Sequence, residues 1–129
     1  MRLILAALVP VHLGLAGWAV VGLAEWLGLP VPWPRISDPW LPRPVLLLQW
    51  LFVLTAACVL VAGFAARWRR TPAAMAACYG AMAALCAVEN LLYLGHYGSM
   101  ALEYATYVAI LAVLFRSDRF RAGGPGGGR

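Results

Sequence analysis

The chain has 129 residues, of which 64% are hydrophobic and only 12% charged, with a formal net charge of +5; its mean hydropathy is +0.80. A water-soluble domain of this length cannot hide so much apolar surface, so the composition excludes a soluble enzyme or binding module and predicts an all-α bundle with the bilayer as its solvent. All ten basic residues are arginine, and nothing in their arrangement points to a nucleic-acid partner.

Four apolar stretches predict four transmembrane helices, at residues 3–27, 45–66, 73–94 and 100–117, within a single membrane domain covering residues 1–120. At about 1.5 Å per residue the first three measure roughly 33 to 37 Å, enough for a hydrocarbon layer about 30 Å thick. The apolar part of the fourth ends at Phe115, so its helix is expected to continue through Arg116 and Ser117 while the arginine snorkels.

The first span is longer than a signal-peptide apolar region and carries Pro10 and His12, so it is read as a retained helix rather than a cleaved leader. Pro10 lacks a backbone donor and frees the carbonyl of Ala6, and His12 is expected to bond to a freed backbone group. Glu25 falls near the outer end of this span, where exposure suffices to explain it.

The loop from Gly28 to Pro44 holds six of the nine prolines, together with Val31, Trp33 and Trp40. Such a segment is expected to form a stiff, extended strap with tryptophans at headgroup level, or a lid over a partner. Pro44 opens the second helix, and Thr71 with Pro72 reads as the cap and first turn of the third. Gly95 closes the third helix and Ser99 caps the fourth. The short connections at 67–72 and 95–99 make these helices antiparallel neighbours. The Gly-rich tail, residues 121–129, reads as disordered.

Arginine placement predicts orientation. Arg2, Arg67, Arg69, Arg70, Arg116, Arg119, Arg121 and Arg129 share one side of a four-span arrangement, against Arg35 and Arg43 on the other. The richer side should be cytoplasmic, which puts both termini inside and, in a bacterium, the chain in the plasma (inner) membrane. Cys58, Cys78 and Cys86 all lie within spans, so no extracytoplasmic disulfide framework is expected. No metal-ligand spacing, phosphate-binding loop or redox motif is present, and no cofactor or metal is expected.

The third span is the informative one. Glu89 is followed by Asn90 in an apolar run with no other charge, and an ionised carboxylate at that depth costs several kcal/mol unless it is protonated, paired or wetted. It also lies about 7.5 Å inside the helix end that the dipole makes unfavourable for anions. Projected at about 100° per residue, Met75, Cys78, Met82, Leu85, Cys86, Tyr93 and His96 share its face. The opposite side is small, and Ala76, Gly80, Ala84 and Ala87 form a seam for close helix packing, against a neighbouring helix, a second copy or another membrane subunit. Glu103 has an easier explanation at the start of the fourth helix, where the dipole favours an anion.

Three functional readings follow. The leading one is a pocket in the outer half, lined by Glu25, Gln49, Glu89, Asn90, Tyr93, His96, Tyr104 and Tyr107, that binds a lipid-like or amphipathic molecule or a partner subunit. The second is an intramembrane acid/base isomerase or cyclase of an isoprenoid or sterol-like substrate, with Glu89 as acid and Glu103 or His96 as base or relay. The third is an oligomeric transporter coupled to protons at Glu89, or one that carries a soft metal past Met and Cys side chains. If the seam joins two copies, Gly80→Leu lowers the oligomeric mass seen by crosslinking in membranes, whereas Glu89→Gln leaves it unchanged.

Overall fold

The structure is a computed structural model and describes residues 2–33 and 35–121. Its elements in chain order are α1 (Arg2–Trp26), α2 (Arg43–Ala65), α3 (Thr71–Glu89), a π-helical turn (Asn90–Leu94), α4 (Tyr97–Arg116) and a short α5 (Asp118–Arg121). Among the described residues there is no strand. Four helices, with the π turn continuing the third, are long and apolar enough to cross a membrane. The expected disordered tail lies, from residue 122 on, outside the described residues, while Arg121 closes α5.

Consecutive helices pack in series, α1 on α2, α2 on α3 and α3 on α4, and a small contact between α1 and α4 closes the ring. One end of the bundle gathers Leu5, Phe64, Arg67 and Ser117 to Arg119. The other gathers the proline-rich loop and residues 93 to 96. The apolar core, Leu5, Ala56, Leu60, Met75, Tyr79, Leu114 and Phe120, fills the arginine-rich half. In the other half, side-chain hydrogen bonds take over much of the work of joining the helices.

Helix ends follow from local chemistry. At the end of α1, Gly28 adopts φ 77°, and the amides of Gly28 and Leu29 bond back to the carbonyls of Glu25 and Ala24, both at 2.9 Å. That is a Schellman stop, in which glycine takes the left-handed position without a Cβ penalty. At the end of α2 the same motif forms around Arg67, with φ 50°, through the bonds Arg67 N to Phe64 O and Trp68 N to Gly63 O. The Arg119 guanidinium donates to the Phe64 carbonyl at 2.7 and 3.3 Å and stacks 3.8 Å over the Phe64 ring. The Phe64 carbonyl near the end of α2 thus accepts from both the Arg67 amide and the Arg119 guanidinium, which ties α5 to α2.

Two expected caps are not formed. Thr71 does not cap α3, because its hydroxyl donates to the Trp68 carbonyl at 2.6 Å and the helix begins at Thr71 itself. Ser99 does not cap α4, which starts at Tyr97 after His96 with no side-chain cap. The earlier start moves Glu103 beyond the first helical turn, where the dipole gives it little help.

The close approaches between helices also differ from the expected seam. A Cβ on Gly22 would overlap the Trp50 indole, and one on Gly63 would overlap the Thr71 side chain, so these two glycines set the α1/α2 and α2/α3 distances. A Cβ on Gly80 meets nothing within 4 Å. Gly80 and Ala84 are exposed and Ala76 and Ala87 half-buried, so this face lies largely outside the contacts made within one chain. Gly22→Ala should therefore lower stability by about 1 to 3 kcal/mol through overpacking, and Gly80→Ala should leave it unchanged or slightly raised. Thermal unfolding of both variants in one detergent checks the contrast.

Candidate functional site

Glu25 and the loop come first, because they form the roof. Glu25 is not explained by exposure: its Oε2 accepts from the Ser37 amide at 2.9 Å, the Ser37 hydroxyl at 2.8 Å and the Ile36 amide at 3.3 Å. Its Oε1 lies 3.7 Å from Arg35 Nε, and its side chain is only 16% exposed. The loop is closed at its base by Trp26 Nε1 donating to the Arg43 carbonyl and Arg43 donating to the Trp26 carbonyl, each at 2.8 Å. Ser37 and Leu41 are buried, and Trp33 and Trp40 are exposed, so the strap is docked on its inner side with two indoles facing outward. Glu25 is fully engaged in holding this loop.

Beneath the loop, a polar seam crosses three helices. On α1, His12 Nδ1 donates to the Leu8 carbonyl at 2.8 Å, leaving Nε2 of the neutral ring to accept from the Tyr79 hydroxyl of α3 at 2.9 Å. The carbonyl it uses is one turn back on its own helix rather than the Ala6 carbonyl freed by Pro10. The Tyr79 ring stacks on Tyr107 of α4, with centroids 4.5 Å apart and planes at 11°. Tyr107 donates its hydroxyl to Glu103 Oε1. The Cys86 thiol donates to Glu103 Oε2 at 3.2 Å, so both oxygens of Glu103 have protein donors.

Glu89 has no such support. It is 7% exposed, and its Oε1 is buried without a hydrogen-bond partner. It lines a cavity of about 70 Å³ together with Gln49 and Phe52 of α2, Cys86 of α3 and Glu103 of α4. Leaving a buried acceptor unsatisfied costs about 1 to 3 kcal/mol, and more when it is charged. A group placed in this cavity would therefore be held by Glu89 first.

The backbone below Glu89 changes form at once. The π turn at Asn90–Leu94 ends in Gly95 with φ 69°, whose amide bonds to the Asn90 carbonyl five residues back at 2.8 Å. Asn90 supports the change: its Nδ2 donates to the Cys86 carbonyl at 2.9 Å and its Oδ1 accepts from the His96 amide at 3.1 Å. Single π turns recur at functional sites because they redirect a short stretch of side chains. Here Glu89 and Asn90 are buried while Leu91, Leu92 and Tyr93 are exposed.

Of the candidate site residues, the structure brings together Gln49, Glu89 and Glu103 on one cavity, with Tyr107 bonded to Glu103 and Asn90 bonded to the Cys86 carbonyl. Tyr93 and His96 lie elsewhere, in a surface pocket beside Asp38 and Trp40 of the loop. Tyr104 donates to the Ala83 carbonyl at 2.7 Å and ties α4 to α3. Glu25 belongs to the loop. Sequence reasoning missed the roles of Tyr79 and Cys86, although a tyrosine in the middle of an apolar span must find a partner for its hydroxyl, and that signal was available. No group of three His, Cys, Asp or Glu among the described residues is arranged to hold a metal ion.

No protein family, curated protein or solved structure matches this chain. The site offers two carboxyl groups on one small cavity, one with a donor on each oxygen and one with an oxygen left open. It can hold a small polar head or exchange a proton.

The His12 to Tyr79 bond can be tested directly. His12→Phe strands the Tyr79 hydroxyl and should cost about 1 to 3 kcal/mol, whereas the double variant His12→Phe, Tyr79→Phe should recover most of that loss. Thermal unfolding of the two single variants and the double variant gives the coupling.

Proposed function

We propose that this is a small multi-pass membrane protein that binds the polar head of a lipid-like or amphipathic molecule in the outer half of its helix bundle. The observation that carries the reading is the Glu89 carboxyl oxygen, buried and without a partner, in a cavity that Glu103 and Gln49 also line. A folded protein that leaves such an acceptor open in an apolar setting gains most from a molecule that brings the missing donor. The apolar remainder of that molecule would lie against helices that already face lipid.

The orientation belongs to the same proposal. Arg67, Arg69, Arg70, Arg116 and Arg119 gather at the end opposite the proline-rich loop, and the positive-inside rule assigns that end, and both termini, to the cytoplasm. In a bacterial cell the membrane would be the plasma membrane. The exposed Ala/Gly face of α3 is left for a second copy or a partner subunit.

A second reading, acid/base chemistry on a bound apolar substrate, is supported by one observation, the placement of two carboxyl groups on one cavity. It differs from the first in requiring turnover that Glu89→Gln abolishes and Cys78→Ser does not.

Purification in mild detergent followed by native mass spectrometry tests the leading reading. The wild-type chain should carry a small-molecule adduct, and Glu89→Gln should lose it by about tenfold in occupancy, the scale of one charge-assisted hydrogen bond. A wild-type protein that is bare under conditions retaining bulk lipid, with Glu89→Gln indistinguishable from it, would overturn the proposal.

A further inference from the structure

The head that fits this cavity can be specified further, and the inference rests on the amphiphile-binding reading above. We infer that the ligand is a primary amine carrying a single alkyl chain, with the ammonium between Glu89 and Glu103 and the chain lying in the groove between α2 and α3. Three observations lead there.

The first is charge. Among the described residues the one ion pair is between Arg35 and Glu25 at the loop, so no arginine or histidine neutralises either carboxyl of the cavity. Tyr107 and Cys86 supply donors to Glu103 but no positive charge. Glu89 Oε1 has neither a donor nor a charge. A ligand that satisfies this pair brings both, and an ammonium group does so with three N–H donors. An anionic head adds like charge, and a purely accepting one leaves the orphan unbonded.

The second is donor type. The cavity of about 70 Å³ sets Glu89 and Glu103 on one space, and a trimethylammonium head has no N–H to offer the open oxygen of Glu89, whereas a primary ammonium has three.

The third is an apolar groove next to the cavity. Phe52 lines both the acid cavity and a groove of about 310 Å³, whose other walls are Thr55, Ala77, Cys78 and Ala81. The Thr55 hydroxyl is turned back to the Leu51 carbonyl at 2.7 Å, which leaves the groove without a free donor from that residue. The groove lies on the arginine-rich side of Glu89 along α3, and residues 77 to 89 cover about 18 Å of helix axis. That is the direction an alkyl chain takes when its head sits in the outer leaflet. Lipid tails are as apolar as the groove, so the groove selects by shape and the carboxyl pair supplies the affinity.

The test uses the full chain in lipid nanodiscs, with empty nanodiscs subtracting partition into the bilayer. Dodecylamine, 1-dodecanol and dodecyltrimethylammonium are titrated below micellar concentration, and apparent Kd is read from calorimetry. Dodecylamine is expected to bind at least about tenfold more tightly than either of the others. Glu89→Gln should weaken the amine by about tenfold, and Ala77→Phe, which narrows an exposed groove and leaves the carboxyls in place, by about threefold. Cys58→Ser serves as the unchanged control.

Equal binding of dodecanol and dodecylamine, with both lost in Glu89→Gln, would overturn the amine while keeping the pocket. Equal binding of the trimethylammonium probe would overturn the requirement for N–H donors. Absence of Glu89-dependent binding by all three would overturn both this inference and the reading beneath it.

Discussion

In hydrocarbon, a buried polar group finds its partner within the protein or goes without, and the distribution of donors around two carboxyl groups organises the loop-side half of this bundle. Glu103 takes the Tyr107 hydroxyl and the Cys86 thiol. Tyr107 is positioned by stacking on Tyr79, and Tyr79 by its bond to His12. Three helices thus converge on satisfying one glutamate. The neighbouring glutamate is left with an open oxygen, and that imbalance is the basis for reading the cavity as a site rather than as packing.

The two halves of the molecule are held by different forces. Toward the arginine-rich end, Leu60, Met75 and Leu114 are fully enclosed and Phe120 of α5 closes the base, so shape complementarity joins the helices there. Toward the loop, hydrogen bonds through Asn90, Tyr104 and Glu25 do so. Each is local, and each absorbs a side chain that would otherwise be a candidate ligand. The loop clamp has a further effect. It buries Ser37 against Trp50, whose indole donates to it at 3.4 Å, and Trp50 is the residue that fits against Gly22.

Much of the architecture is legible in the sequence, because spans of apolar residues punctuated by Pro and Gly leave few alternatives in a bilayer. The unusual character of Glu89 is legible too, since no property of its position excuses a charge. What the projection at a constant 100° could not supply is the change of helix type after Glu89. A π turn advances less per residue, so Tyr93 and His96, which an ideal helix aligns with Glu89, emerge on the surface near Asp38 and Trp40. Glu25 escaped for a different reason: its partners lie eleven and twelve residues ahead in an irregular loop, where no periodicity connects them. The small-residue seam shows the limit of pattern reading within one chain. Which glycine meets a neighbour depends on tertiary placement, and within this chain it is Gly22 and Gly63 rather than Gly80.

The π turn carries a consequence for how this segment tolerates change. The hydrogen bonds of residues 90 to 94 span one residue more than those of an α-helix, and the surplus keeps Asn90 inward while Leu91 and Leu92 face outward. Exchanging one apolar side chain for another there alters little. Removing a single residue would let the backbone relax to α geometry and rotate everything beyond it relative to Glu89, including the start of α4. The length of the segment, more than its composition, is what keeps the acid cavity in register.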